Sequence, residues 1–115
     1  SRSLSPDRGR LLENLVFLEL RRRQHTIEYY RTRSGREVDF LVTDPAGRQS
    51  LVQVAADLAD AGTRSRELAA LEEAMAECGL DRAFIVTLDQ EETVATARGR
   101  VAVTPAWQWL LFRDS

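Results

Sequence analysis

Three side chains in this sequence are of types that could do chemistry: Asp39 and Gln53, which could lie side by side, and Glu13, an acid set on an apolar helix arc. Asp39 lies in the alternating stretch Glu37-Val38-Asp39-Phe40-Leu41-Val42, and Gln53 lies in Leu51-Val52-Gln53-Val54-Ala55. Alternation at period two reads as adjacent strands, which sets Asp39 and Gln53 side by side. Glu13 falls on the apolar arc of a helix, among Val16, Phe17 and Leu20. A carboxylate buried there is costly unless it finds an arginine, backbone donors or a bound cation. The structural reading is an ion pair with Arg31, Arg33 or Arg36. Glu19, inside the same arc between Leu12 and Leu15, invites that reading more strongly still.

The remaining composition narrows the chemistry. All sixteen basic residues are arginine, so no step that needs a poised amine is open to this chain. A single histidine, His25, and a single cysteine, Cys78, supply neither zinc-ligand spacing nor an internal disulfide. Cys78 and Met75 read as core residues of a helix. No P-loop of the glycine-lysine-serine/threonine type occurs, so ATP cannot be hydrolysed by that route. Charge is uneven along the chain: residues 1–36 hold nine arginines against four acids, and residues 37–115 hold seven against fourteen. Such asymmetry fits either an anionic partner for the basic part or two halves that attract each other. Arg21, Arg22, Arg23 and His25 read first as a basic helix end that complements the helix dipole, and only second as a site.

The elements that must position these residues follow from pattern. At 115 residues and 43% hydrophobic content the chain suits one domain, residues 1–115, with one core. No run reaches the length of a membrane span and the start has no signal-peptide pattern, so a soluble, cytoplasmic protein is expected. A mostly buried helix is predicted from Pro6 to Arg23, capped by Ser5, with a polar strip at Arg10, Asn14 and Arg21. Three strands follow: one around Tyr29-Tyr30, one with Val38, Phe40 and Val42 on one face and Glu37, Asp39 and Leu41 on the other, and one over Leu51–Ala55. Asp60–Thr63 caps a second helix with Leu68, Leu71, Met75 and Cys78 inside and Glu67, Glu72, Glu73 and Glu77 outside, and Gly79 stops it. Ala83–Leu88 is apolar almost throughout, the pattern of a central strand, parallel to an earlier one. A polar loop at Asp89–Glu92, a last strand at Val101–Thr104 and a closing aromatic segment, Ala106–Phe112, complete an α/β (α+β) order with a mixed central sheet flanked by helices.

This order, with Glu13 on the first helix, Asp39 in the second strand and Gln53-Val54-Ala55 in the third, resembles the core of the PD-(D/E)xK nuclease superfamily. The stretches GRLLENLVFLELRRR, YYRTRSGREVDFLV, LVQVAADL and TPAWQWLL, with Arg-Ser-Arg-Glu-Leu in the second helix, are similar to a C-terminal domain of unknown function. That domain follows the ATPase module of prokaryotic AAA-type ATPases, and the similarity runs from about Gly9 to Leu111. The resemblance implies a restriction-endonuclease-like core, αβββαβ, followed by a further strand and a short C-terminal helix. It places Glu13 and Asp39 at metal-ligand positions, Gln53 where active members carry an acid, and Ala55 where they carry the lysine. An amide oxygen is a weaker magnesium ligand than a carboxylate, and an always-protonated arginine cannot replace the lysine beside a metal-bound water. Asp57 shares the parity of Gln53 and Ala55 but lies where the strand is expected to end.

The expectation is a catalytically degenerate site: no cofactor in this domain, Mg2+ doubtful at Glu13 and Asp39, and ATP bound only by an upstream ATPase domain of the same protein. Three roles remain open. The first is a recognition module that touches DNA phosphates through Arg21, Arg22, Arg23, Arg31, Arg33 and Arg36. The second is a protein-interaction module or homo-oligomer built on the segment from Trp107 to Phe112, with Trp107 and Trp109 as its interface residues, or on a sheet edge. The third is a residual metal-dependent nuclease.

Overall fold

A computed structural model describes residues 6–111. Nine elements follow one another: α1 (Pro6–Arg22), β1 (Thr26–Arg31), β2 (Glu37–Thr43), β3 (Gln49–Val54), α2 (Ala61–Cys78), β4 (Arg82–Thr87), β5 (Glu92–Ala95), β6 (Arg100–Pro105) and α3 (Ala106–Leu111). Ser5 and Phe112, read from sequence as a helix cap and as part of the closing aromatic segment, lie outside the described residues.

The six strands form one mixed sheet in the order β1-β2-β3-β4-β6-β5. The first three make an antiparallel meander, β4 runs parallel to both β3 and β6, and β5 folds back antiparallel on β6. The near-continuous apolar run of β4 is thus explained by a central strand whose edges are both paired. Helix α2 packs on one face through Leu71, Ala74 and Met75, over Val38, Leu51, Ile85 and Val103. Helix α1 packs on the other through Leu12, Val16 and Leu20, over Phe40, Val42, Val52 and Val86, with Ala106 and Trp109 of α3 beside it. Asp60 caps α2 by accepting from the Thr63 N–H at 2.8 Å, and Gly79 ends it in the left-handed conformation, φ +70°, where a side chain would be strained.

Three sequence expectations need correction. Helix α1 is not mostly buried: Leu11, Leu15 and Leu18 are 62%, 43% and 53% exposed, because only one face meets the sheet. Val38 does not share a face with Phe40 and Val42. Glu28 pairs with Leu41 and Tyr30 with Val38, so β2 advances three residues while β1 advances two. This bulge around Asp39-Phe40 reverses the parity, sending Val38 to the α2 side and Phe40 to the α1 side. The end of the expected polar loop is strand: β5 begins at Glu92. Glu73 and Glu77 lie outside the core, as expected, and hold the β1–β2 turn from there. Glu73 accepts from the Thr32 and Ser34 hydroxyls at 3.0 and 2.7 Å, and Glu77 accepts from the Tyr30 hydroxyl at 2.6 Å and the Arg33 N–H at 2.9 Å, which clamps the β1–β2 turn onto the helix. No helix among the described residues is long and apolar enough to cross a membrane.

Candidate functional site

The bulge matters because it parts β2 from β3 where Asp39 and Gln53 sit. Ladder pairing runs from Thr43↔Gln49 to Phe40↔Val52 and goes no further. Beyond it, side chains take over the backbone's hydrogen bonds. Gln53 Oε1 accepts from the Asp39 N–H at 2.8 Å, and Gln53 Nε2 donates to the Glu37 carbonyl at 3.1 Å. Asp39 Oδ2 accepts from the Val54 N–H at 2.8 Å. Asp39 and Gln53 are therefore side by side, as their alternation predicts, in a notch closed by their own side chains. Gln53 is only 2% exposed.

Electrostatics follow from this placement. Burial pushes the Asp39 carboxyl up to about 6; the Val54 N–H opposes that rise, and the charges of Glu13 and then Glu37 add to it. Glu67, on the α2 side, is pushed up to about 7, again mainly by burial and then by the charge of Asp39. Glu67 was read from sequence as an outward residue. Yet it precedes Ala70, Leu71 and Ala74 by three, four and seven residues, and all three are buried, so the spacing already places it at the centre of the packed face.

Glu13 is exposed on α1, not buried in its apolar arc. It lines a shallow cleft of about 320 Å³ with Arg10, Asn14, Phe17 and Phe40, near enough to Asp39 to raise its pKa, while none of the described hydrogen bonds joins the two. Two of the arginines expected to neutralise this pair lie beside other acids, Arg31 at 3.9 Å from Glu37 and Arg36 at 3.5 Å from Glu73, and the Arg33 backbone N–H donates to Glu77. Glu19 does form the expected ion pair, but with Arg22 and Arg23 one turn away, which holds its carboxyl down at about 2. Arg23 also donates to the Trp109 carbonyl at 2.7 Å and lies over the Trp109 ring at 4.6 Å, while Arg21 lies over Phe17 at 5.7 Å. Trp107 is 57% exposed.

Two of the oxygens around Asp39 are already engaged by backbone N–H groups. Gln53 spends its amide oxygen on the Asp39 N–H, one Asp39 oxygen is bound to Val54, and among the described residues no three His, Cys, Asp or Glu side chains converge as ligands. Ala55 is 9% exposed and packs into the core under α2. Asp57 lies past the end of β3, exposed, and accepts from the Ala59 N–H.

A six-stranded mixed sheet with one helix on one face and two on the other, carrying an Asp–Gln notch at the end of its meander, defines an α+β domain of a recorded type. The pattern of the family described as "Domain of unknown function (DUF4143)" matches residues 8–109, and the chain belongs to that family. It is similar to the uncharacterized protein MJ1544 of Methanocaldococcus jannaschii, 37% identical over 120 residues. The match takes in 96% of this chain but about a quarter, 26%, of that relative's length. No solved structure matches the chain.

Proposed function

We propose that this domain is a catalytically silent, nuclease-like accessory module that works by recognition within a longer protein of the AAA-type ATPase kind. The observation that carries this reading is the use of Asp39 and Gln53 as cross-strand ties. The two positions that would present ligands in a PD-(D/E)xK site instead repair a break in the sheet. Ala55 in the core and the absence of lysine from the chain support the same reading, since the position of the water-polarising ammonium is filled by a methyl group. The greater length of the archaeal relative is compatible with a module of this kind.

The test is incubation of the purified domain with supercoiled, linear and branched DNA in Mg2+ or Mn2+. Wild type and Asp39→Ala are expected to leave every substrate intact, and cleavage that depends on Asp39 would end the proposal. Recognition of DNA would run through the exposed faces of Arg21 and Arg22 and would weaken steeply with salt. A second reading is favoured by Leu11, Leu15 and Leu18. Three exposed leucines at helical spacing on the outward face of α1 suit a protein surface better than a phosphate backbone.

A further inference from the structure

Helix α1 has a second stripe besides the one it buries. Leu12, Val16 and Leu20 are spent on the sheet. On the other side of the helix Asp7, Leu11, Leu15, Leu18 and Arg22 follow one another at intervals of four, four, three and four residues. At about 100° per residue these five share roughly 80° of the circumference, so they line one face along about 22 Å of helix. All five are exposed. An acid at the start and a base at the end would serve the helix dipole by themselves, but the dipole gives no account of three open leucines between them.

The order of residues along the stripe points to its occupant. In a symmetric pair of identical surfaces, a residue that meets a second position of the other copy is met in turn by that second position. Two α1 helices laid antiparallel about an axis between Asn14 and Leu15 satisfy this. Leu11 of each copy meets Leu18 of the other, and Leu15 lies beside the axis. The same register brings Asp7 of each copy to Arg22 of the other and opposes the two helix dipoles, whereas a parallel pair would set Asp7 on Asp7 and Arg22 on Arg22. Asp7 and Arg22 also pair within their own helix, with Arg10 and Glu19, but at exposed positions where such pairs hold weakly and admit another partner. Helix α3 presents another exposed apolar surface, Trp107 and Leu111, yet Ala106–Leu111 contains no charged residue that could set a register.

We infer that the outward face of α1 is the interface of a homodimer, with a second copy of this chain packed antiparallel on it. The inference rests on reading the three leucines as a protein surface, and it does not depend on the state of Asp39. A stripe one helix wide buries less than the roughly 800 Å² per partner of a standard interface, so the dimer is a weak one that forms as concentration rises.

The test is sedimentation of the domain over a concentration series, as wild type, as Asp7→Arg, as Arg22→Glu and as an equal mixture of the two variants. Either substitution sets like charges together at both ends of its own dimer and should weaken self-association by about tenfold. The mixture should recover association close to that of wild type, because in the mixed pair the two introduced charges face each other and the two native ones stay matched. Leu15→Ser should weaken association and Trp107→Ala should not; circular dichroism like that of wild type shows that each variant has folded. A wild type that stays monomeric, or charge variants that each associate as wild type does, would overturn the dimer and leave the leucines as a surface for a different protein. Folded variants that stay apart when mixed would overturn it too. Association that survives Leu15→Ser and disappears in Trp107→Ala would overturn both the dimer and the reading of α1 as a protein surface.

Discussion

Asp39 and Gln53 each bond the strand that carries the other. The Asp39 carboxylate takes the Val54 N–H of β3, and the Gln53 amide takes the Asp39 N–H and gives a hydrogen to the Glu37 carbonyl of β2. An amide accepts at its oxygen and donates at its nitrogen at once, which a carboxylate cannot do. Its presence at a position only 2% exposed is therefore structural before it is anything else.

Gln53→Glu is expected to destabilise the domain, although it restores the acid that an active nuclease would carry. A carboxylate cannot donate to the Glu37 carbonyl and would sit charged and buried beside Asp39. The loss should be about 2–4 kcal/mol in urea denaturation at pH 8. A variant as stable as wild type would show that the amide does not hold the notch.

Stability should rise as pH falls from about 8 to about 5. Asp39 and Glu67 have folded-state values raised to about 6 and about 7, above the ordinary 3.8 and 4.5, so between these limits the folded chain binds more protons than the unfolded one. Their penalty is fully present above about 7 and is relieved as pH drops through 7 and then 6. Glu19 acts in the opposite sense: its carboxyl is held at about 2, so its contribution is present above about 4.5 and fades as pH falls from there to about 2. Asp39→Asn, which keeps an acceptor for Val54, and Glu67→Gln should each raise the Tm at pH 8. Each should also flatten the rise toward pH 5, by about 1–2 kcal/mol for Asp39. Thermal scans across that interval decide the matter; a profile unchanged by both substitutions would contradict it.

Gly99→Ala should be among the most damaging single changes. A Cβ at this position would lie 2.2 Å from the Asp81 carbonyl oxygen, which accepts the Arg100 N–H at 3.0 Å to start the β4–β6 pairing. Backbone cannot move aside as a flexible side chain can, so a loss of about 3 kcal/mol or more is expected in chemical denaturation. A much smaller loss would mean that the turn before β6 shifts freely.

Replacing Leu11, Leu15 and Leu18 together by serine should change folding stability little, within about 1 kcal/mol, because these side chains are exposed. If they form an interaction surface, self-association or partner capture measured by sedimentation should fall in the triple variant and persist in Trp107→Ala. Loss through Trp107→Ala alone would move the surface to α3.

Periodicity was sufficient for the run of local elements. It located α1, the meander, α2 with its Asp60 and Gly79 caps, the buried β4, and the neighbourhood of Asp39 and Gln53, because spacing and turn chemistry are written residue by residue. The place of Glu67 in the buried face of α2 was equally legible in its distance from Ala70, Leu71 and Ala74. Other features depended on partners distant in the chain. The bulge that turns Phe40 away from Val38 arises only when β1 and β3 pair with β2, and β5 is a strand only because β6 offers an edge. Arg31 and Arg36 left Glu13 for Glu37 and Glu73 because the folded turn brings those acids nearer. Sequence alone determined which residues could carry charge or bury surface; the tertiary structure decided which of them meet, since a carboxylate's role is set by the donors and dielectric that packing brings around it.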